Sequence, residues 1–577
     1  MTAHAAPPAA AAATASQPRS NRWKRFTACW RSSPLLGAVV VLGLVLGLLL
    51  RLYALGRGTM NSDEAVVGLM AREILHGHFF AFYWGQNYGG PEAYAVALAF
   101  AVFGSSAFSL GFTAVLLCAG SLVLLWRIGN RMFASPVGAV AAIAFWVWPE
   151  TYLTSSTVED GFRWGGLICG LTVLLTVLRI GDGEGSTRDW IALGLAAGVG
   201  WWATPEIAYF LVPAGVYVVA RMVQRRAKAR LVALLSSAVA AIVGSLPWWW
   251  HNLGQHFNSF NGPVQPLPPH GGSPYFWHLG IFDRYVVPLV LGLRVRMTGQ
   301  WIGPTTVTPH LVNVAVVVLV AWLVYSAVRG RGWLLLAYVV AFPFLYAAQP
   351  FSWYWQDGRY AIFLAPAVAL VLASLACQVG SWAIQSPRFA PAIMAVLVLA
   401  GGTALTLRAA KATLPYVREP SLPAVERTTW YSWHANPNNL PTALAASLVR
   451  WHVRYAFTGY WLAYDVAFLA QGKVTVSPAG PVFIRYPPYY AAVAASPAPA
   501  WIFVSAAGEQ AAGAEAGTIA LDPGCNSPSQ RCLEVPEIVR WCVMHHIGYQ
   551  IRDSGPYIVV LPSKRVLPSQ ILPAFSL

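Results

Sequence analysis

Charge is what this sequence has little of. Only 10% of its 577 residues are Asp, Glu, Lys or Arg, whereas 57% are hydrophobic and the mean hydropathy is +0.53. A soluble chain of this size needs far more charged surface, which excludes an ordinary water-soluble protein. Acidic residues are the scarcer sign, 22 against 38 Lys and Arg, for a formal net charge of +16. That excess would suit a nucleic-acid binder until the basic residues are placed. Arg19, Arg22, Lys24, Arg25 and Arg31 precede the first apolar run, and Arg221, Arg225, Arg226, Lys228 and Arg230 fill one short loop. Clusters beside apolar spans mark the cytoplasmic side of a membrane, so no nucleic-acid partner is expected. Cysteine is also sparse, with seven residues and no zinc-type spacing. Cys29, Cys118, Cys169 and Cys377 lie in or beside apolar runs, where a thiol acts as a small hydrophobe.

What the chain does have is long apolar runs. A bilayer span needs about 20 mostly apolar residues. The first run, Pro34 to Tyr53, is too long for a signal-peptide core and lacks a cleavage site after it, so it reads as a retained helix with its N-terminus inside. Further spans are expected near 107–126, 135–149, 163–180, 190–204, 205–220, 231–250, 311–328, 333–349, 359–379 and 389–407. The total is about 11, with 190–220 alternatively one helix bent at Pro205. Tyr285 to Leu293 is too short to span and reads as re-entrant or interfacial. Three parts follow: a disordered cytoplasmic N-terminus (1–33), a helical membrane body (34–408), and an α/β tail (409–577). Loops assigned inside carry Arg127, Arg131, Arg179, Arg188, the Arg221–Arg230 cluster, Arg329, Arg331 and Arg388, as the positive-inside rule requires. An odd number of spans then leaves the tail outside. The tail holds a helix-like stretch, Thr442 to Ala456, and β-type runs at Val474–Val476, Trp501–Val504 and Tyr557–Leu561.

The first outside loop, Thr59 to Gly77, carries Asp63 and Glu64. Val66, Leu69, Met70 and Ile74 recur at helical spacing, which predicts an amphipathic helix lying on the membrane surface. Asn61 and Glu64 form a capping pair, and the acids also read as dipole compensation in a first turn. Next comes Tyr83-Trp84-Gly85-Gln86-Asn87-Tyr88-Gly89-Gly90-Pro91-Glu92-Ala93-Tyr94, with Pro91 placed to begin another helix. Its aromatics and amides suit a sugar, or an ordinary interfacial belt. Ser155 to Arg163 brings a second acidic pair, Glu159 and Asp160, to the same side. Gln356 to Pro366 adds Arg359 and Tyr360 at the outer end of a later span. Each charge taken alone could simply snorkel. Their agreement on one face favours a site.

These motifs in this order resemble the bacterial glycosyltransferases related to protein O-mannosyltransferases and the lipid A aminoarabinose transferase, members of the GT-C superfamily. The tail segments Gly459-Tyr460-Trp461-Leu462-Ala463-Tyr464-Asp465 and Arg485-Tyr486-Pro487-Pro488-Tyr489 are similar to an actinobacterial branch. The resemblance implies a polytopic α-helical fold with an extracytoplasmic α/β domain, in the plasma membrane. It implies a polyprenyl-phosphate sugar donor, a glycan, lipid or protein acceptor, and transfer with inversion. Asp63, with Glu64 beside it, fits the family's first-loop base. The second acidic position falls on Glu159 or Asp160. Arg359, helped by Arg163 or Arg294, would hold the donor phosphate. Gln86, Asn87, Tyr88, Glu92 and Tyr360 would contact substrate. No cofactor is assigned and no ligand set for a divalent metal stands out. The His-rich second-loop pattern of eukaryotic O-mannosyltransferases is missing, which argues against protein O-mannosylation as such.

A transporter of lipid-linked sugars would place ionisable residues mid-span, and a glycan-binding scaffold would need no acid at all. The sugar, the acceptor and the prenyl length stay open. In the tail, Cys525 and Cys532 are expected to form a disulfide, with Cys542 in the helix-like stretch Val535 to His546 as the competing partner.

Overall fold

The computed structural model describes residues 33–571 apart from 57–59, 134, 225–230, 261–267, 269–270, 297, 356–357, 385–388, 418–439, 481–483, 505–517, 520–532 and 556. Gln356, Asp357, Cys525 and Cys532 therefore lie outside the described residues.

Apolar runs become helices wherever the sequence predicts a span. The first are α1 (Pro34–Leu55), α2 (Ser62–Leu75), α3 (Gly90–Phe103), α4 (Ala107–Met132), α5 (Ser135–Val147) and the short α6 (Glu150–Ser155). Then come α7 (Arg163–Gly181), α8 (Thr187–Ala203), α9 (Ala208–Gln224), α10 (Leu231–Gly244) and α11 (Leu246–Gly254). The short α12 (Pro274–Ile281) and α13 (Val287–Val290) precede α14 (Thr308–Val328), α15 (Trp333–Ala348), α16 (Ala365–Ala383) and α17 (Ala390–Val417). Among the described residues seven helices are long and apolar enough to cross a membrane, or eight if the pair α10 and α11, bent by 60°, is one span. This is fewer than the roughly 11 expected, because α5 and α15 are apolar but short and α8 carries charge in its first turn. Thr204 and Pro205 separate α8 from α9 through a single 3₁₀ turn, so 190–220 is two helices rather than one. The chain is an α-helical, multi-pass membrane protein.

Loops assigned to opposite faces do gather at opposite ends of the bundle. At one end Arg131 pairs with Asp182 and Glu184, and Arg179 pairs with Asp189. A cavity of about 140 Å³ there is lined by Arg131, Asp182, Tyr217, Arg221, Arg331 and Trp333. The other end holds Asp63, Glu159 and Arg296. Arg51 is a charge buried inside the bundle. It lies within α1, fully buried, stacks on Trp146 at 3.8 Å, and donates to Ser156 Oγ at 2.7 Å and to Trp146 O at 2.7 Å. It thereby ties α1 to the loop that carries Glu159.

From Leu440 onward the elements are α18 (Leu440–Arg450), β1 (Tyr455–Thr458), α19 (Tyr460–Leu469), β2 (Thr475–Pro478), α20 (Pro487–Ala495) and β3 (Ala500–Val504). They continue with β4 (Thr518–Ile519), β5 (Leu533–Glu534), α21 (Val535–Met544), β6 (Tyr549–Ser554), β7 (Tyr557–Pro562) and α22 (Pro568–Ile571). Five strands form one sheet in the order β2-β1-β3-β7-β6. The β1 strand is parallel to β2 and β3, whereas β7 runs antiparallel to β3 and β6. The expected helix to Ala456 stops at Arg450, since Tyr455 and Ala456 pair with Thr475 and Val476 in the ladder. Cys542 is a buried free thiol on α21.

The most informative departure concerns α2. Residues Ser62 and Glu64 to Ala71 are all buried. Val66, Leu69 and Met70 share one apolar core with Trp84, Tyr464, Phe468, Val476 and Ile502. The apolar stripe that predicts a lipid-surface helix is covered by the C-terminal elements instead. Periodicity reports that a face is buried, not what buries it.

Candidate active site

The N-terminus of α2 sets the geometry. Asn61 is its extended N-cap and accepts the Glu64 amide at 3.0 Å, while Glu64 Oε2 accepts the Asn61 amide at 3.2 Å. This capping box turns Glu64 inward. Its other oxygen accepts the Glu159 amide at 3.2 Å, so the first two acidic loops are joined directly. Burial pushes the Glu64 carboxyl up to about 7, against the pull of the Glu159 and Asn61 amides and of Arg163 and Arg296. Asp63, one position earlier, stays half-buried and faces the C-terminal elements. The Tyr460 hydroxyl donates to Asp63 Oδ1. The Tyr83 hydroxyl donates to the Asp63 carbonyl at 3.0 Å and reaches Oδ1 at 3.5 Å. Arg485 donates through Nε to the Tyr460 hydroxyl at 3.3 Å and through Nη1 to Gly85 O at 3.4 Å. Burial opposes its charge, but Tyr460, Tyr83 and Asp63 outweigh that and push its pKa up. Burial, reinforced by Asp63, holds the Tyr460 phenol in its protonated, donating form.

The Gly85–Gly90 loop is shaped by close approach. Gly85 and Gly89 have φ of 68° and 86°, in the left-handed region that favours glycine. A Cβ on Gly90 would stand 2.1 Å from Ala81 O, and one on Gly89 3.1 Å from Gly161 O. What comes close to these glycines is therefore the protein's own backbone. Gln86, Asn87 and Tyr88 are half-buried. Tyr88 packs edge-on against Phe162 at 5.2 Å, and Phe162 lies 6.3 Å from Tyr360, which is buried beside Arg359. Burial pushes the Tyr88 phenol up to about 12, with Arg485 and Arg359 both pulling it down.

The second acidic pair is enclosed. Glu159 is wholly buried, and its Oε1 accepts the Gly161 amide at 3.1 Å. Burial, together with the nearby Glu92 and Glu64 carboxyls, raises its pKa well above the usual range. Glu92 is buried too and caps α7 by accepting the Gly165 amide at 2.5 Å. Asp160 forms an ion pair with Arg163, and both are buried. Asp465 on α19 completes the cluster. It is buried, and burial with Glu64 nearby raises its pKa.

The cations differ in how they are held. Arg294 packs over Trp301 at 4.0 Å and Tyr285 at 4.8 Å and donates to Gly299 O at 2.5 Å. Arg296 is buried and donates to Thr154 Oγ1 at 3.1 Å. Arg359 is half-buried with its guanidinium 5.5 Å from the Tyr354 ring. Glu206, at the α8–α9 break, accepts from Gln349 Nε2 at 2.8 Å and from the Thr204 hydroxyl. Sequence reasoning singled out none of Tyr83, Arg296 or Glu206, and it gave Tyr460, Asp465 and Arg485 no role. The signal for the last three was their place in two tail motifs. Among the described residues no group of three or more His, Cys, Asp or Glu is placed to hold a metal ion.

Residues 92–251 match the family described as dolichyl-phosphate-mannose-protein mannosyltransferase. The chain is also 23% identical over 295 residues to an undecaprenyl phosphate-α-4-amino-4-deoxy-L-arabinose arabinosyl transferase of Pseudomonas fluorescens. That similarity covers 46% of this chain and 51% of the relative, so the chain spans about half the length of the curated relative it matches. Among solved structures, ArnT from Cupriavidus metallidurans bound to undecaprenyl phosphate aligns with a TM-score of 0.47 at 14% identity, over 90% of this chain and 97% of that one. The archaeal oligosaccharyltransferase AglB from Archaeoglobus fulgidus aligns with a TM-score of 0.43 at 13% identity, over 83% and 70%. The matched family and the curated relative are the two kinds of protein that the loop motifs resemble.

Proposed function

We propose that this protein transfers a sugar from a polyprenyl-phosphate donor to an acceptor hydroxyl, by single displacement with inversion, on the extracytoplasmic face of the membrane. One observation carries the reading. Of the four acids Asp63, Glu64, Glu159 and Asp160, three are buried and Asp63 alone is half-exposed. A general base must reach a substrate proton, and Asp63 is the acid of the four that can. Among the described residues its carboxylate accepts only at Oδ1, which leaves Oδ2 for the acceptor.

In the step itself the acceptor oxygen bonds to the anomeric carbon as the bond from that carbon to the phosphate oxygen breaks. Asp63 takes the hydroxyl proton, and the polyprenyl phosphate leaves with its electron pair. A phosphate leaving group is a weak base, so no general acid is needed, unlike the paired carboxylates of a glycosidase. It does need a cation, and half-buried Arg359 supplies one. Glu64, Glu159 and Glu92 work behind the site, holding the two loops and the start of α7 in register. Support also comes from the matched family and relative, whose names specify lipid-phosphate sugar donors. In this reading the elements from Leu440 onward are extracytoplasmic.

Purified protein with radiolabelled polyprenyl-phosphate sugars tests the proposal. Transfer is expected, and Asp63→Asn should lower the rate roughly 10²–10⁴-fold with donor binding retained. Arg359→Ala should weaken binding of undecaprenyl phosphate, with Lys rescuing only in part because the planar fork is lost. Movement of the donor across vesicles without transfer would instead identify a transporter.

A further inference from the structure

We infer that the C-terminal unit is part of the active site, with Tyr460 and Arg485 serving as positioning residues that fix the carboxylate of Asp63. The inference rests on the reading of Asp63 as the base.

Three observations point the same way. Two helix starts are docked on each other, because Ser62 Oγ donates to Tyr460 O at 2.5 Å. The helices then run side by side in the same direction. Gly68 faces the Phe468 ring, and Arg72 donates to Phe468 O at 2.9 Å with its guanidinium over that ring at 3.9 Å. This contact sets where Tyr460 meets Asp63, residues 397 apart in the chain.

The second observation is the direction of the hydrogen bonds. A guanidinium has donors and no acceptor, whereas a phenol can do both. Arg485 Nε donates to the Tyr460 oxygen at 3.3 Å, so the phenol proton is directed away from Arg485 and toward Asp63 Oδ1. Arg485 thereby selects one rotor of the Tyr460 hydroxyl. That hydroxyl in turn blocks one oxygen of Asp63 and stops the carboxylate from rotating.

The third is that Arg485 is itself anchored at several points. Its amide donates to the Tyr464 hydroxyl at 2.7 Å, and its side chain donates to Gly85 O at 3.4 Å. Gly85 is where a side chain would collide, since an added Cβ would stand 3.0 Å from Arg485 Cδ. Arg485 therefore couples the substrate-side loop, the C-terminal unit and the base. The two tail motifs that lie outside the membrane body meet at this point.

Tyr460→Phe removes one oxygen and keeps the ring in the shared core, so it is the cleanest probe. Tyr460→Phe and Arg485→Gln should each lower turnover at saturating donor by about 10- to 100-fold, the scale expected from an ångström of misplacement. The dissociation constant for undecaprenyl phosphate should stay within about twofold of wild type. The double variant should be no slower than the worse single one, because residues acting as a unit are not additive. Arg485→Lys, which keeps charge and a donor, should recover part of the rate. Within an Asp63→Asn background, Tyr460→Phe should have no further effect. Wild-type turnover in Tyr460→Phe, additive losses, or a matching loss of undecaprenyl phosphate binding would each overturn the inference. If Asp63→Asn itself turns over at the wild-type rate, the functional reading fails instead, so the two failures are distinguishable.

Discussion

Gly68→Ala puts a number on the contact between α2 and α19. An added Cβ at Gly68 would stand 2.5 Å from Phe468 Cε2, 2.9 Å from Cδ2 and 3.2 Å from Cζ. Ordinary contact begins at 3.4 Å, so the ring or the helix must retreat by 3.4 − 2.5, or about 0.9 Å. The ring has little freedom to do so, with the Arg72 guanidinium 3.9 Å above it and Phe100 at 6.1 Å. Overpacking of this kind costs about 1–3 kcal/mol. Alanine in a helix is intrinsically better than glycine by about 1 kcal/mol, which offsets part of that. The net effect is destabilising, and the displacement is passed along α2 to Asp63, five residues before Gly68. Gly215 on α9 is the control, because nothing lies within 4 Å of its added Cβ. Thermal unfolding in detergent and single-turnover transfer should show Gly215→Ala at or above wild type. Gly68→Ala should melt several degrees lower and transfer about 10-fold more slowly. If the two variants melt and turn over alike, the clasp between α2 and α19 does not exist as described.

Stability should also depend on pH through Glu64. Its carboxyl is raised from 4.5 to about 7, so between these values the folded protein keeps a proton that the unfolded chain has released. That contribution is complete below about pH 4.5 and lost as pH rises through about 7, roughly 3 kcal/mol for the single group. Melting temperature should therefore fall between pH 5 and 7.5, and Glu64→Gln should flatten the slope, with Glu159 and Asp465 retaining part of it. Equal slopes in the two proteins would show that another group governs the transition. A C-terminal alkaline phosphatase fusion should be active in intact cells. An inactive phosphatase with a fluorescent cytosolic reporter at the same position would invert the topology.

Local features were legible in the sequence, and long-range ones were not. The Asn61–Glu64 capping box and the start of α3 at Pro91 depend on residues within one turn, and both form as the spacing predicts. Apolar runs located the membrane helices, because length and hydropathy are properties of a segment. The partner of an apolar stripe is not such a property. The α2 pattern is the same whether lipid or Phe468 covers it, so its placement could not be read. Arg51 is a charge within α1, which is costly in a span. What offsets that cost, Ser156 and the Trp146 carbonyl, is supplied by the second acidic loop and by α5. Asp63 is the base the resemblance implies, and the capping box turns its neighbour Glu64 inward. Tyr460 and Arg485 meet Asp63 only through the tertiary contact of α2 with α19, and no spacing in the chain encodes that.

The distance in sequence between Asp63 and Tyr460 also governs when the enzyme is born. Ribosomes add about 5–20 residues per second, so the 397 residues between them take roughly 20–80 s to synthesise. During that interval the helix bearing Asp63 has already left the ribosome, while the hydroxyl that orients its carboxylate does not yet exist. On the proposed function, a chain that stops short of Tyr460 carries the base without the hydroxyl that fixes it, and full turnover waits for the C-terminal elements to pack on the first loop.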